Sequence, residues 1–179
     1  MTNTIKWKRL TQVNIPAKAH PTDAGMDMKV IVTSEGEFVP KVLDSGAFPT
    51  EPTYKTLWDP DLGTPSTAVC IYPHQTIIFH TGLKCAVPEG YYLEVNPRSS
   101  LGFKRDIMLA NTTGVIDCHY RGELMVALHN NGAVPRYISD QERVVQCMLK
   151  KVEDVENIEV DELDDTDRGE GGFGSTGSN

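Results

Sequence analysis

No apolar run in the 179 residues approaches the roughly 18 that a bilayer-spanning helix needs, and no apolar leader opens the chain, so a soluble protein is expected. Cations are scarce: 17 Lys and Arg stand against 25 Asp and Glu, for a formal net charge of -8. That balance excludes the broad basic surface with which a protein neutralises a nucleic-acid backbone, although it leaves room for a local anion site. Cys70, Cys85, Cys118 and Cys147 are widely spaced and form no Cys-x-x-Cys pair, so reduced thiols in a cytosol are expected rather than a disulfide framework. His20, His74, His80, His119 and His129 show no close ligand spacing, which argues against a protein-held metal. Long helical periodicity is missing as well.

What is present is a succession of short segments rich in β-branched and aromatic residues, such as Ile77 to Phe79, Tyr91 to Val95 and Leu124 to Leu128, separated by Gly, Pro, Asn or Asp. They predict an all-β sandwich or jelly-roll in a single domain over residues 1–151. Periodicity alone leaves Glu142 to Lys151 open, because Val144, Val145, Met148, Leu149 and Val152 fit one helix face while Arg143 to Met148 also fits a buried strand. Between Gly36 and Val69, five prolines with Gly46 and Gly63 read as a long surface excursion. Residues 152–167 carry nine Asp or Glu and no Lys or Arg, the composition of a solvated lead. Residues 168–179 are mainly Gly, Ser and Thr around Phe173, the composition of a flexible tail.

Five stretches carry unusual residue combinations. Asp23-Ala24-Gly25-Met26-Asp27 places acids around an apolar pair after a loop, which by itself reads as a turn entering a strand. Pro97-Arg98-Ser99-Ser100-Leu101-Gly102 joins a guanidinium, two hydroxyls and a glycine, groups that grip phosphate oxygens, or else form an ordinary capped turn. Gly114 to Glu123 embeds Asp117 after apolar residues, where a carboxylate needs a partner or a job. Arg143-Val144-Val145-Gln146 sets a charge and an amide in an apolar segment. Arg168 to Gly177 offers backbone N–H groups, hydroxyls and an Arg able to cradle phosphates, with one aromatic able to stack on a base.

In this order the five stretches resemble the five motifs of the trimeric dUTPase family, and the matching segments span Asp23 to Thr176. The resemblance implies a jelly-roll with the Arg143 to Gln146 stretch on a strand, and homotrimers whose active sites lie between subunits. A flexible Gly-rich C-terminal arm, residues 168–179, would close over a neighbour's site. It further implies hydrolysis of dUTP to dUMP and pyrophosphate, with Asp117 activating the attacking water and binding the 3′-hydroxyl. Tyr120 would pack under the deoxyribose and exclude a 2′-hydroxyl. Arg98, Ser99, Ser100 and Gly102 would hold phosphates, with Gln146 near the α-phosphate. Asn111, Val115, Ile116 and Met125 would form the uracil pocket. Arg168, Phe173, Gly174, Ser175 and Thr176 would close over base and phosphates. The implied cofactor is Mg2+ on the triphosphate, with Asp27 reaching it through water. Neither nucleic acid nor membrane is an implied partner, and the compartment is the cytoplasm, or the nucleus or host cytoplasm for a eukaryotic or viral source.

Three positions depart from the family pattern: Ser100, Asp106 and Gln141 stand where glycine is common. The connection at 36–69 is also longer than usual, and either passive packing or a protein partner would account for it. Two rival readings remain: a dCTP deaminase, for which Glu123 is the nearest candidate acid, and a binding protein built on the same scaffold.

Overall fold

A computed structural model describes residues 3–44, 46–59 and 63–171. Its elements are β1 (Lys6–Arg9), β2 (Met26–Lys29), β3 (Lys41–Asp44), β4 (Thr53–Asp59), β5 (Thr64–Ile71), β6 (Thr76–His80), β7 (Leu83–Ala86) and β8 (Tyr91–Pro97), then α1 (Ser99–Arg105), β9 (Ile107–Leu109), β10 (Gly114–Ile116), β11 (Met125–Asn130), β12 (Arg136–Ser139) and β13 (Arg143–Lys151). The all-β expectation holds: α1, seven residues long, is the only α-helix among the described residues. No helix among them is long and apolar enough to cross a membrane.

Two four-stranded antiparallel sheets, in the orders β10-β8-β13-β2 and β3-β6-β11-β9, build the body. Alternation explains why. Ile77 and Phe79 of β6, Leu93 and Val95 of β8, and Val126 and Leu128 of β11 point inward and join one buried cluster, while the residues between them are partly exposed. Burying each such side chain contributes about 1.5–3 kcal/mol. A three-stranded sheet, β12-β5-β4, and the β1-β7 pair complete the fold.

Strand β13 settles the segment that periodicity leaves open. It lies between β8 and β2, and its register against β2 shifts between Arg143 and Val145. The additional residue is a bulge, so Val144 and Val145 are both fully buried, and strict alternation fails where the sequence reads as ambiguous. The stretch from Gly36 to Val69, which reads as a long surface excursion, carries β3, β4 and most of β5. Buried Gln75 donates to the Pro49 carbonyl (3.0 Å), the Tyr54 hydroxyl donates to the Thr33 carbonyl (2.9 Å), and Phe48 stacks on Tyr72 with ring centroids 4.8 Å apart. These contacts fasten the excursion to the body.

Candidate active site

The bulge lies where β8 ends, with Val145 opposite Pro97. Arg98 follows Pro97 at the end of β8, and its N–H donates to the carbonyl of bulge residue Val144 (3.1 Å). From there Arg98 Nε reaches Asp27 Oδ1 at 3.3 Å, and Arg143 reaches Asp27 Oδ2 at 3.2 Å, so one carboxylate of β2 orients two guanidinium groups. Gln146 pairs across the sheet with Asp27 on one side and Asn96 on the other. Gly25 is what gives Gln146 room: a Cβ at Gly25 would lie 2.7 Å from Gln146 Oε1, nearer than atoms pack. The first and fourth stretches singled out in the sequence are therefore one packed unit.

Helix α1 begins directly after Arg98 with no side-chain cap, and Ser99, Ser100 and Gly102 are exposed on it. It ends at Asp106, which adopts left-handed geometry (φ 55) and pairs with Arg136 at 2.7 Å. Gln141 is also left-handed, at φ 58. Both non-glycine departures thus fall where backbone geometry favours glycine, and the short polar side chain of Asp tolerates it better. A cavity of 570 Å³ opens here, walled by Arg98, Ser100, Lys29, Arg105 and Arg143, together with Trp58, Asp59 and Glu142. Glu142 is occupied by Arg105 and by the Ser139 N–H, and Arg105 also donates to the Tyr137 carbonyl. The remaining guanidinium and ammonium groups make the cavity suited to an anion with several oxygens.

A second cavity, of 410 Å³, shares no wall with the first. Asn111, Val115, Ile116 and Met125 all line it, between β10 and β11, with Leu109, Gly114 and Leu124. Val115 and Met125 are 60% and 52% exposed, and Val115 belongs to edge strand β10, which pairs only with β8 among the described residues. An edge strand presents N–H and C=O groups in a row, and a planar base with a donor and acceptors can pair with such a row. Thr112 enters the strand at φ 61, a geometry that is costly for a β-branched residue, and its hydroxyl donates to the Asn111 carbonyl (2.6 Å).

Asp117 and Tyr120 lie just past β10 in a turn closed by the Tyr120 N–H donating to the Asp117 carbonyl (3.1 Å), and both side chains are exposed. The Tyr120 hydroxyl donates to the Glu123 carbonyl (2.9 Å). Gly122 allows this: a Cβ there would lie 2.2 Å from the Tyr120 hydroxyl oxygen. Glu123, the acid a deaminase would need in its pocket, is committed elsewhere. Its carboxylate takes the Gly82 N–H (2.8 Å) and pairs with His80 Nδ1 (2.8 Å).

Arg168 is exposed and donates to the Gly171 carbonyl (2.9 Å), while Phe173, Gly174, Ser175 and Thr176 lie outside the described residues. Among the described residues no three His, Cys, Asp or Glu side chains gather to hold a metal ion. Lys29, Arg143 and Trp58 are site residues to which the sequence gives no role; the Arg143 motif is a signal for one of them, and nothing local marks Trp58.

The sequence model of dUTPase matches residues 61–177. A deoxyuridine 5'-triphosphate nucleotidohydrolase of Gloeobacter violaceus is 33% identical over 138 residues, covering 77% of this chain and 71% of that protein. One from Fusobacterium nucleatum is 48% identical over 79 residues, 44% of this chain, and the match spans 54% of that protein's length. The chain thus spans about half the length of several curated relatives it matches. Among solved structures, a Staphylococcus bacteriophage 80alpha dUTPase with dUpNHpp superposes with a TM-score of 0.71 at 22% identity, covering 99% of this chain and 100% of that one. The dUTPase of phage phi11, solved with a structural Mg(II) ion, gives a TM-score of 0.64 at 18% identity over 91% of this chain and 100% of that one. Both share the fold. With the family match extending over most of the chain and a relative 33% identical over 77% of it, the protein belongs to the dUTPase family.

Proposed function

We propose that the protein hydrolyses dUTP to dUMP and pyrophosphate, with Asp117 as the base that deprotonates the attacking water. The observation that carries this reading is the 410 Å³ cavity on the free edge of β10, lined by Asn111 and Met125 and placed directly before Asp117. Uracil would pair with the β10 backbone and Asn111. Cytosine presents the reverse donor pattern there, and a site built for one pattern rejects the other strongly. Tyr120, held by Gly122 and the Glu123 carbonyl, would lie under the deoxyribose and exclude a 2′-hydroxyl. Water attacks the α-phosphorus, Asp117 takes its proton, and the bond to the bridging oxygen of pyrophosphate breaks. Arg98, Ser99, Ser100 and the Gly102 backbone hold the phosphates, and Gln146 donates near the α-phosphate, where charge develops.

Asp27 fits the role of carrying water to a triphosphate-bound Mg2+. Its carboxylate has about four lone-pair sites, and the two guanidinium groups occupy two of them. A magnesium ion bound by substrate oxygens and water would neutralise phosphate charge and fix the leaving pyrophosphate. In the homotrimer that the family resemblance implies, a complete site would be assembled from two copies, the phosphate cavity of one facing the uracil cavity of the next; that the two cavities have no wall in common is compatible with this. Residues 168–179, with Arg168, Phe173, Gly174, Ser175 and Thr176, form the arm that closes it. The reaction limits uracil entry into DNA and supplies dUMP, in the compartment where nucleotides are made.

Pyrophosphate release from dUTP, dCTP, dTTP and UTP with magnesium tests the reading. Rapid release from dUTP alone is expected, and Asp117→Asn should lower turnover about 10²–10⁴-fold with nucleotide affinity nearly intact. Mixing inactive Asp117→Asn and Arg98→Ala chains should restore activity through sites that draw each half from a different copy. Ammonia from dCTP, or full activity in Asp117→Asn, overturns the assignment.

A further inference from the structure

We propose that the β4-β5 hairpin is part of the substrate site and that Trp58 contacts the terminal phosphates of the nucleotide. This rests on the nucleotide reading above. Strand β5 pairs with β12 only through Ala68 to Ile71, whereas the β4-β5 ladder continues out to Asp59 and Thr64. Residues 64–67 and their partners 56–59 therefore run past the end of β12, an overhang of roughly 13 Å at about 3.3 Å per residue. This overhang brings Trp58 to the wall of the 570 Å³ cavity that holds Arg98 and Ser100.

Three features make Trp58 more than a hairpin residue. It is 66% exposed, and its cross-strand partner is Pro65, so core packing does not account for it. In a chain of net charge -8, the cavity it walls collects Lys29, Arg98, Arg105 and Arg143 against Asp59 and Glu142, and with Arg105 paired to Glu142 the balance is still cationic. An indole suits such a place: its N–H can donate to a phosphate oxygen, and its flat face keeps water from one side of the anion, which strengthens the flanking guanidinium contacts. Trp58 thus gives the outer phosphates a contact that the helix and the sheet edge do not supply.

The chain has two tryptophans, so Trp7→Phe leaves Trp58 as the sole indole reporter. In that protein, dUpNHpp with magnesium should produce a saturable change in emission, and dUMP, which lacks the outer phosphates, should not. Trp58→Ala should weaken dUpNHpp binding about tenfold while dUMP affinity stays within about twofold, and Trp58→Phe should fall between, keeping the wall but losing the donor. Flat emission at calorimetric saturation overturns the proposal, as does an equal loss for both ligands, which would mark the hairpin as merely structural. Inorganic tripolyphosphate, titrated in parallel, separates the two readings. A Trp58 response to it without dUTP hydrolysis refutes the nucleotide reading and keeps the anion contact. Hydrolysis of dUTP with silent Trp58 refutes only the role of the hairpin.

Discussion

Cys147 sits mid-sheet in β13, opposite Met26 and Val95, fully buried, with its thiol donating to the Met26 carbonyl at 3.4 Å. Burial, with smaller contributions from the neighbouring Cys85 and Asp27 charges, pushes its pKa from the ordinary 9.0 up to about 12. A raised folded-state pKa means that the thiol's contribution is complete below pH 9 and is lost as the pH climbs towards 12, since only the unfolded chain releases the proton readily. At pH 10.5 that loss is about 2 kcal/mol. Cys147→Ala removes the titration but leaves a small void, costing about 1 kcal/mol at every pH. The two stability curves should therefore cross near roughly pH 9.6. The wild type should lead by about 1 kcal/mol at pH 7 and trail by about 1 kcal/mol at pH 10.5. Cys85, whose thiol burial also raises, titrates in both proteins and largely cancels. Urea unfolding under reducing conditions from pH 7 to 10.5 measures the difference. Parallel curves would falsify the claim that the centre of β13 excludes charge.

Three further perturbations address the departures from the family pattern and the rival chemistry. Gln141→Gly relieves left-handed strain at φ 58 and gives up only a 3.4 Å side-chain contact to Asp140, so thermal unfolding should show a gain of about 1 kcal/mol. Asp106→Gly relieves less strain, because Asp tolerates this geometry better, and also loses the half-exposed Arg136 pair, so its gain should shrink towards zero; a gain equal to that of Gln141→Gly would contradict both arguments. Glu123→Ala strands the Gly82 N–H and His80 and should cost about 2 kcal/mol in stability, with turnover per folded molecule within about twofold. A collapse of turnover without loss of stability would return Glu123 to the chemistry.

Legibility in the sequence followed physical regularity. Strands β6, β8 and β11 alternate cleanly between buried and open faces, so their existence and inward residues could be read directly. Strand β13 could not, because the bulge at Val144 adds a residue and turns two successive valines inward. In the excursion, prolines and glycines mask β4, although Thr53, Tyr54, Thr56 and Trp58 are strand-favouring types and the Gly63 N–H bonds back to the Asp59 carbonyl. Within the site, ordered motifs pointed to Asn111, Val115, Ile116 and Met125, which line one cavity, to Arg98 and Ser100, which line the other, and to Gln146 on the inner strand β13. Trp58 was invisible because its place depends on how far one ladder outruns another, a property of long-range register that no local pattern encodes.

The same geometry bears on how an acidic protein would take the tetra-anionic substrate proposed for it. The charge of -8 is unevenly spread: residues 152–167 alone hold nine acids, while the 570 Å³ cavity draws cations from β2, α1, β13 and the residue between β8 and α1. At physiological ionic strength the Debye length is about 8 Å, so charges of the acidic lead that lie farther than this from the cavity are largely screened from it. Asp27 is not screened, being 3.2–3.3 Å from both guanidinium groups. Its charge lowers the cavity's attraction for phosphate, and in return it holds Arg98 and Arg143 in place before substrate arrives. Affinity for anions in general is thereby traded for a fixed orientation towards one of them. Preorganised donors of this kind accelerate a reaction only when aimed at charge that develops during attack. The site therefore depends less on net charge than on the bulge, Gly25 and Asp27, which together fix where the donors point.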